Sequence, residues 1–124
     1  KFDCIVTGNM FGDILSDEAS ELSGGLGLAG STMTGDNACC AQAQHGSAPD
    51  IAGQDKANPV SLMLSAVMLL EWLAVKHSRP EFDAAAKAIE AAIDAALQSP
   101  ETRTADLGGK LGTKAFTAKL VAAI

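Results

Sequence analysis

The chain is 124 residues long, room for one ordinary domain. It is 48% apolar, so a packed core can form, and Ala and Leu supply the bulk beside four Phe, one Trp and no Tyr. A net charge of −6 argues against nucleic acid, whose binders concentrate positive charge, and against an anionic membrane surface.

In chain order, Phe2-Asp3-Cys4-Ile5-Val6 is short, apolar and β-branched, and residues 2–7 are predicted as a buried strand rather than a targeting segment. The missing initiator Met hints at an internal fragment. Gly8-Asn9 punctuates, and from residue 10 to about 23 the period becomes helical. Phe11, Ile14, Leu15, Ala19 and Leu22 share one face there, away from most of Asp13, Asp17, Glu18 and Glu21. Strand, tight turn and helix would begin an α/β unit.

Residues 23–37 are rich in Gly, Ser and Thr and break the pattern; 39–43 read as a short strand. Residues 44–58 carry two Gly, one Pro and no clear period. Such a structureless stretch in a compact domain is more often functional than idle. Pro59 suits the first position of a helix running to about 77, apolar on nearly all sides and hence expected in a core or a subunit interface. Its apolar run at 60–70 falls short of the roughly 20 residues of a membrane span. Met63 and Met68 read as core packing, and His77 as a helix-dipole contact.

Pro80 starts another helix with Phe82, Ala85, Ala86, Ile89, Ile93, Ala96 and Leu97 as its stripe, ended by Ser99-Pro100. A loop at 102–112 follows, and Thr113 is expected to cap a last helix bearing Phe116, Leu120, Val121 and Ile124. Cys4, Cys39 and Cys40 are odd in number, with two adjacent, and fit neither a disulfide framework nor a common zinc spacing. A reducing, cytoplasmic setting is the expectation.

Gly25-Leu26-Gly27-Leu28-Ala29-Gly30 matches the GxGxxG string, yet it follows a helix instead of leaving a strand to open one. A helix stop at Gly24 or Gly25 explains it better.

Two groups of residues carry candidate chemistry. Asp13 and Asp17 sit one helical turn apart, where like charges cost about 0.2–0.5 kcal/mol unless neutralised. Mg²⁺ or Mn²⁺ would neutralise them; a solvated acidic face is the plainer alternative. His45, Gly46, Ser47, Ala48 and Asp50 form the second group. Gly46 permits close backbone approach to a ligand, Ser47 offers a hydroxyl and an N–H, and Asp50 can accept a ribose 2′-hydroxyl while repelling a 2′-phosphate. A polar turn with a structural histidine is equally open on spacing alone. Lys56 can touch a phosphate or simply be solvated.

Taken together, Asn9-Met10-Phe11-Gly12-Asp13-Ile14-Leu15-Ser16-Asp17, His45-Gly46-Ser47-Ala48-Pro49-Asp50-Ile51-Ala52-Gly53 and Ala57-Asn58-Pro59 resemble the isocitrate/isopropylmalate dehydrogenase family. Asp106-Leu107-Gly108-Gly109 and Gly112-Thr113 match as well, so the similarity spans essentially the whole chain.

The resemblance implies a helix-rich α/β chain, the C-terminal part of a two-domain fold about three times as long. Residues 1–23 would finish the smaller, dimer-forming domain, and 24–124 would be the C-terminal half of the cofactor domain. It implies metal ligation by Asp13 and Asp17, adenosine and phosphate binding by residues 45–48, ribose binding and NAD selection by Asp50, and adenine contact by Asn58. The implied reaction is oxidation of a small hydroxy di- or tricarboxylic acid by NAD with Mg²⁺ or Mn²⁺, then decarboxylation, in a homodimer with a shared site.

Gln42 departs from the family's usual Glu, which alters local charge. The missing Tyr leaves the general acid outside this chain, so the chain alone is expected to be inactive. The alternatives are a non-catalytic adenine-nucleotide-binding or assembly module and a plain helical interface protein.

Overall fold

The computed structural model describes residues 2–22 and 24–124. Its regular elements are α1 (Asn9–Leu22), β1 (Gly30–Thr34), β2 (Cys39–Ala43), α2 (Val60–His77), α3 (Pro80–Leu97) and α4 (Thr113–Val121). Short 3₁₀ turns lie at Leu26–Leu28, Pro49–Ile51 and Ala105–Leu107.

The strand expected at 2–7 does not form. Phe2, Ile5 and Val6 are exposed at 87%, 73% and 91%, and no described strand pairs with them. A β-branched run becomes a strand only when a neighbour supplies the ladder, and here none does. The helix after it forms as expected, although the expected end at Ser23 falls outside the described residues. Its apolar face stays open, with Phe11, Ile14, Leu15 and Leu22 all exposed.

The Gly/Ser/Thr-rich stretch hides a strand that periodicity missed. β1 pairs antiparallel with β2 in the register Gly30↔Ala43 to Thr34↔Cys39, closed by a turn in which Gly35 N–H donates to Ala38 O at 2.8 Å. The GxGxxG string thus runs from a helix end into a strand, the reverse of a phosphate loop.

This hairpin lies across α2, and the contact is polar. Ser65 Oγ donates to Gln42 O at 2.6 Å and accepts the Ser31 N–H at 3.0 Å. One turn earlier, Ser61 Oγ donates to Ala29 O and accepts the Gln44 N–H at 3.2 Å. Both serines are fully buried, so they satisfy strand groups that would otherwise be orphaned. Gly30 makes the approach possible, since a Cβ there would lie 2.9 Å from the Leu64 carbonyl carbon.

α2 is therefore a core helix buried along one line rather than all round: Val60 and Val67 join the two serines inside, whereas Leu62, Met68 and Val75 are exposed. With 18 residues and a mean hydropathy of 1.4 it is long and apolar enough to cross a membrane, but its buried side is committed to the hairpin and to α3. Lys76 near its end donates to Asp36 O and to Asn37 Oδ1, holding the hairpin turn.

On the other side of α2, α3 and α4 complete the core. Val60, Ala92, Ile93, Ala96, Phe116 and Leu120 are buried together, flanked by Met63, Leu64, Ile89, Leu97 and Leu111. The α3 stripe is as expected except that Ala85 is exposed and Ala92 takes a core place. Val121 and Ile124, expected on the α4 stripe, are exposed. Cys4, Cys39 and Cys40 are free thiols.

Candidate functional site

The 44–58 segment folds into one wall of a cleft of about 620 Å³, within the ~300–1,000 Å³ range of small-molecule sites. His45, Gly46, Ser47 and Ala48 line it along one edge, followed by Ile51 to Gly53 and by Asp55 to Asn58. Gly27, Asp106, Thr113 and Lys114 close it from the other elements. Five of the six residues expected at a nucleotide site therefore share one concavity. Asp50 is exposed on the Pro49–Ile51 turn between lining neighbours and is not itself part of the lining.

Local geometry explains the wall's shape. Ala48 is left-handed at φ 43°, a conformation that costs a non-glycine residue about 1–2 kcal/mol and turns the chain into the Pro49–Ile51 turn. His45 Nδ1 lies 2.8 Å from Gly46 O. A carbonyl only accepts, so Nδ1 is the donor in this contact.

Asn58 uses both ends of its amide. Oδ1 accepts the Val60 N–H at 3.0 Å, capping α2 beside Pro59, while Nδ2 donates to Asp106 Oδ2 at 2.9 Å. Thr113, expected as a cap, opens α4 instead, and its hydroxyl donates to Ala57 O. The cap comes from Asp55: its backbone O accepts the Thr113 N–H at 3.2 Å, and its Oδ1 accepts the Lys114 N–H at 2.8 Å. A partner so distant in the chain leaves no local sequence signal for Asp55.

The charges of the cleft are unequal in availability. Asp55 and Asp106 spend carboxylate oxygens on these bonds, whereas Lys56 and Lys114 take no part in the ion pairs among the described residues, which join Arg79 to Glu81, Lys87 to Asp83 and Lys110 to Glu101. Two exposed lysines in the lining, without an ion pair among the described residues, suit an anionic ligand such as a diphosphate.

Asp13 and Asp17 are exposed on α1 and line neither this cleft nor the smaller hollow of about 320 Å³ beside Ser20 and Gln44. α1 does reach the cofactor segment: Gln44 Nε2 donates to Ser20 Oγ at 3.3 Å, one residue before His45. Among the described residues no group of three His, Cys, Asp or Glu side chains is placed to hold a metal. The two aspartates alone are hard oxygen donors of the type Mg²⁺ and Mn²⁺ take, and further ligands would have to come from elsewhere.

The chain is thus a helix-rich α/β fold with a loop-built cleft of small-molecule dimensions. The family profile described as isocitrate/isopropylmalate dehydrogenase matches residues 1–124, and the chain belongs to that family. It is 49% identical over 124 residues to an isocitrate/homoisocitrate dehydrogenase of Thermus thermophilus, covering 100% of this chain and 35% of the relative. It is 46% identical over 129 residues to a 3-isopropylmalate dehydrogenase of Synechococcus, covering 34% of it. A crystal structure of isocitrate dehydrogenase from Methylococcus capsulatus superposes with a TM-score of 0.81 at 37% identity, over 93% of this chain and 32% of that one. The chain thus spans about a third of the length of the curated relatives it matches.

Proposed function

We propose that this chain supplies the adenosine-and-phosphate part of an NAD site, together with two carboxylate ligands for Mg²⁺ or Mn²⁺, to a dehydrogenase that oxidises and decarboxylates a small 2-hydroxy di- or tricarboxylic acid. The observation that carries the reading is the gathering of His45, Gly46, Ser47, Ala48 and Asn58 around one cleft, in a chain of this family.

The residues divide the work by their chemistry. The Gly46–Ser47 backbone and the Ser47 hydroxyl face a ligand without side-chain obstruction. Lys56 and Lys114 offset phosphate charge. Asp50 stands next to the lining and accepts ribose hydroxyls after a modest side-chain reorientation, its negative charge disfavouring a 2′-phosphate. Asn58 keeps one N–H and one lone pair beyond its two intramolecular bonds, enough to meet an adenine edge. Asp13 and Asp17 offer carboxylate oxygens from one helical turn. When bound, the cation polarises the oxygens of the hydroxy acid and the dinucleotide accepts the hydride.

In this reading residues 1–23 end a smaller domain and 24–124 form half of the cofactor domain. Among the described residues, α1 meets no other helix or strand and touches the Leu26–Leu28 turn, which supports that division. The open apolar face of α1 suits an interface, and in this reading it packs in a homodimer that completes the site; a cytoplasmic setting is part of the same proposal. The chain by itself is then inactive.

One observation favours a second reading, a non-catalytic adenine-nucleotide-binding module: neither Asp13 nor Asp17 lines the cleft. Mn²⁺ titration separates the two. The enzyme reading expects saturable binding by the chain that is lost in the Asp13→Asn, Asp17→Asn double variant. Binding that is absent or indifferent to the substitutions supports the module. Steady NADH production by the isolated chain with isopropylmalate, isocitrate or tartrate would contradict its inactivity.

A further inference from the structure

We infer that Asp55 is a positioning residue: it latches the cofactor segment onto the start of α4 and so holds the cleft in shape before any ligand arrives. Among the described residues, the hydrogen bonds that leave segment 47–57 all end on Thr113 or Lys114. The turns within the segment bond only to themselves: Ile51 N–H to Ala48 O, Ala52 N–H to Pro49 O and Gln54 N–H to Ile51 O. The two ends of the wall are held separately, by Gln44 N–H to Ser61 Oγ and by Asn58 to Val60 and Asp106; among the described residues, its middle is hydrogen-bonded to the rest of the chain only at the start of α4.

The latch is built from both sides. Asp55 is held at φ 57°, a left-handed conformation that Asp tolerates better than most residues. This pose presents its carbonyl and its carboxylate together to the first N–H groups of α4, which have no partners within that helix. On the other side, Gly112 leaves room: a Cβ there would lie 2.6 Å from both Asp55 O and Asp55 Oδ2. The Gly112 backbone (φ −82°, ψ 170°) suits any residue, so the demand for glycine comes from Asp55 and not from the turn. α4 is in turn fixed in the core by Phe116 and Leu120, at 0% and 3% exposure. The route from the middle of the wall to the core therefore runs Asp55, α4, Phe116, beside those at its two ends through Gln44 and Asn58.

A latch of this kind makes an affinity prediction that rests on the NAD reading and an order prediction that does not. An unlatched wall must be ordered by the ligand, so binding weakens by the fraction of time the wall is out of place. Loss of a side-chain cap typically loosens the local structure about fivefold.

The test is hydrogen exchange on the complete chain, without nucleotide, in the wild type, Asp55→Ala, Asp55→Asn and Gly112→Ala. The latch expects Asp55→Ala and Gly112→Ala each to speed exchange of the hydrogen-bonded amides of the segment, Ile51, Ala52 and Gln54, and of Thr113 and Lys114, about fivefold. Amides in the middle of α2 and α3 should keep wild-type rates. Asp55→Asn should retain protection, because its Oδ1 accepts the same N–H and Asn also tolerates the left-handed pose. The double variant Asp55→Ala, Gly112→Ala should be no looser than either single one. Unchanged exchange at Ile51, Ala52 and Gln54 for Asp55→Ala, or an equal rise throughout the core, overturns the latch. NAD titration of the same proteins is the second arm, with about fivefold weaker binding expected for Asp55→Ala and recovery in Asp55→Asn. A wild type that binds no NAD contradicts the NAD reading, while the exchange result still decides the latch.

Discussion

Asn58 and Asp106 are joined by a 2.9 Å hydrogen bond from Nδ2 to Oδ2, tying the end of the cofactor segment to the Ala105–Leu107 turn inside the cleft. The same Asn58 caps α2 through Oδ1. Substitutions can separate the two jobs. Asn58→Asp keeps the cap but sets one carboxylate against another at an exposed contact, and up to about 1 kcal/mol of destabilisation is expected in denaturant unfolding. Adding Asp106→Asn should recover most of it, since the pair is then reversed instead of repelling. Failure of that rescue would mean the bond contributes nothing.

Ser65 is expected to be among the most sensitive polar positions. Ser65→Ala leaves the Ser31 N–H and Gln42 O without their partner beside a buried helix face, at a cost of about 1–3 kcal/mol. Thermal unfolding should show a clear fall in Tm, whereas Ser99→Ala, whose hydroxyl accepts only an exposed N–H, should stay near wild type.

Thr104 behaves oppositely. Its side chain is fully buried, and Oγ1 has no hydrogen-bond partner among the described residues. Thr104→Val exchanges that hydroxyl for a methyl of similar shape and should be neutral or stabilising by up to about 1 kcal/mol. A marked loss of stability would reveal a partner for the hydroxyl.

Ala48 should respond to glycine. Its left-handed backbone carries about 1–2 kcal/mol of strain, and Gly relieves this while adding about 0.5–1 kcal/mol of unfolded-state freedom. Ala48→Gly is thus expected to stabilise by up to about 1 kcal/mol in denaturant titration, and a substantial loss would contradict the strained pose.

How much was legible in the sequence follows from which interactions are local. α2 and α3 announced themselves through Pro59, Pro80 and a helical period, and their ends fall within about a residue or two of expectation. Residues 2–7 misled because β-branched composition says nothing of whether a partner strand is present. β1 was missed because its Gly and Ser are there to let α2 come close, a tertiary demand that reads locally as a loop. At the cleft, His45 to Ala48 and Asn58 were readable as a motif. Asp55 and Lys114 were not, since their roles exist only once α4 has folded back beside the loop. The small-residue motif marks where a ligand can approach, while the residues that hold the motif in place are scattered along the chain.

The most direct test of the central claim is equilibrium titration of the chain with NAD, NADP and AMP by calorimetry. Saturable NAD binding is expected, with AMP competing for the same site, NADP much weaker and Asn58→Ala reducing NAD affinity by about tenfold. Absence of saturable binding by NAD or AMP at millimolar concentrations, with the chain shown to be folded, would contradict the assignment of this cleft to a nucleotide.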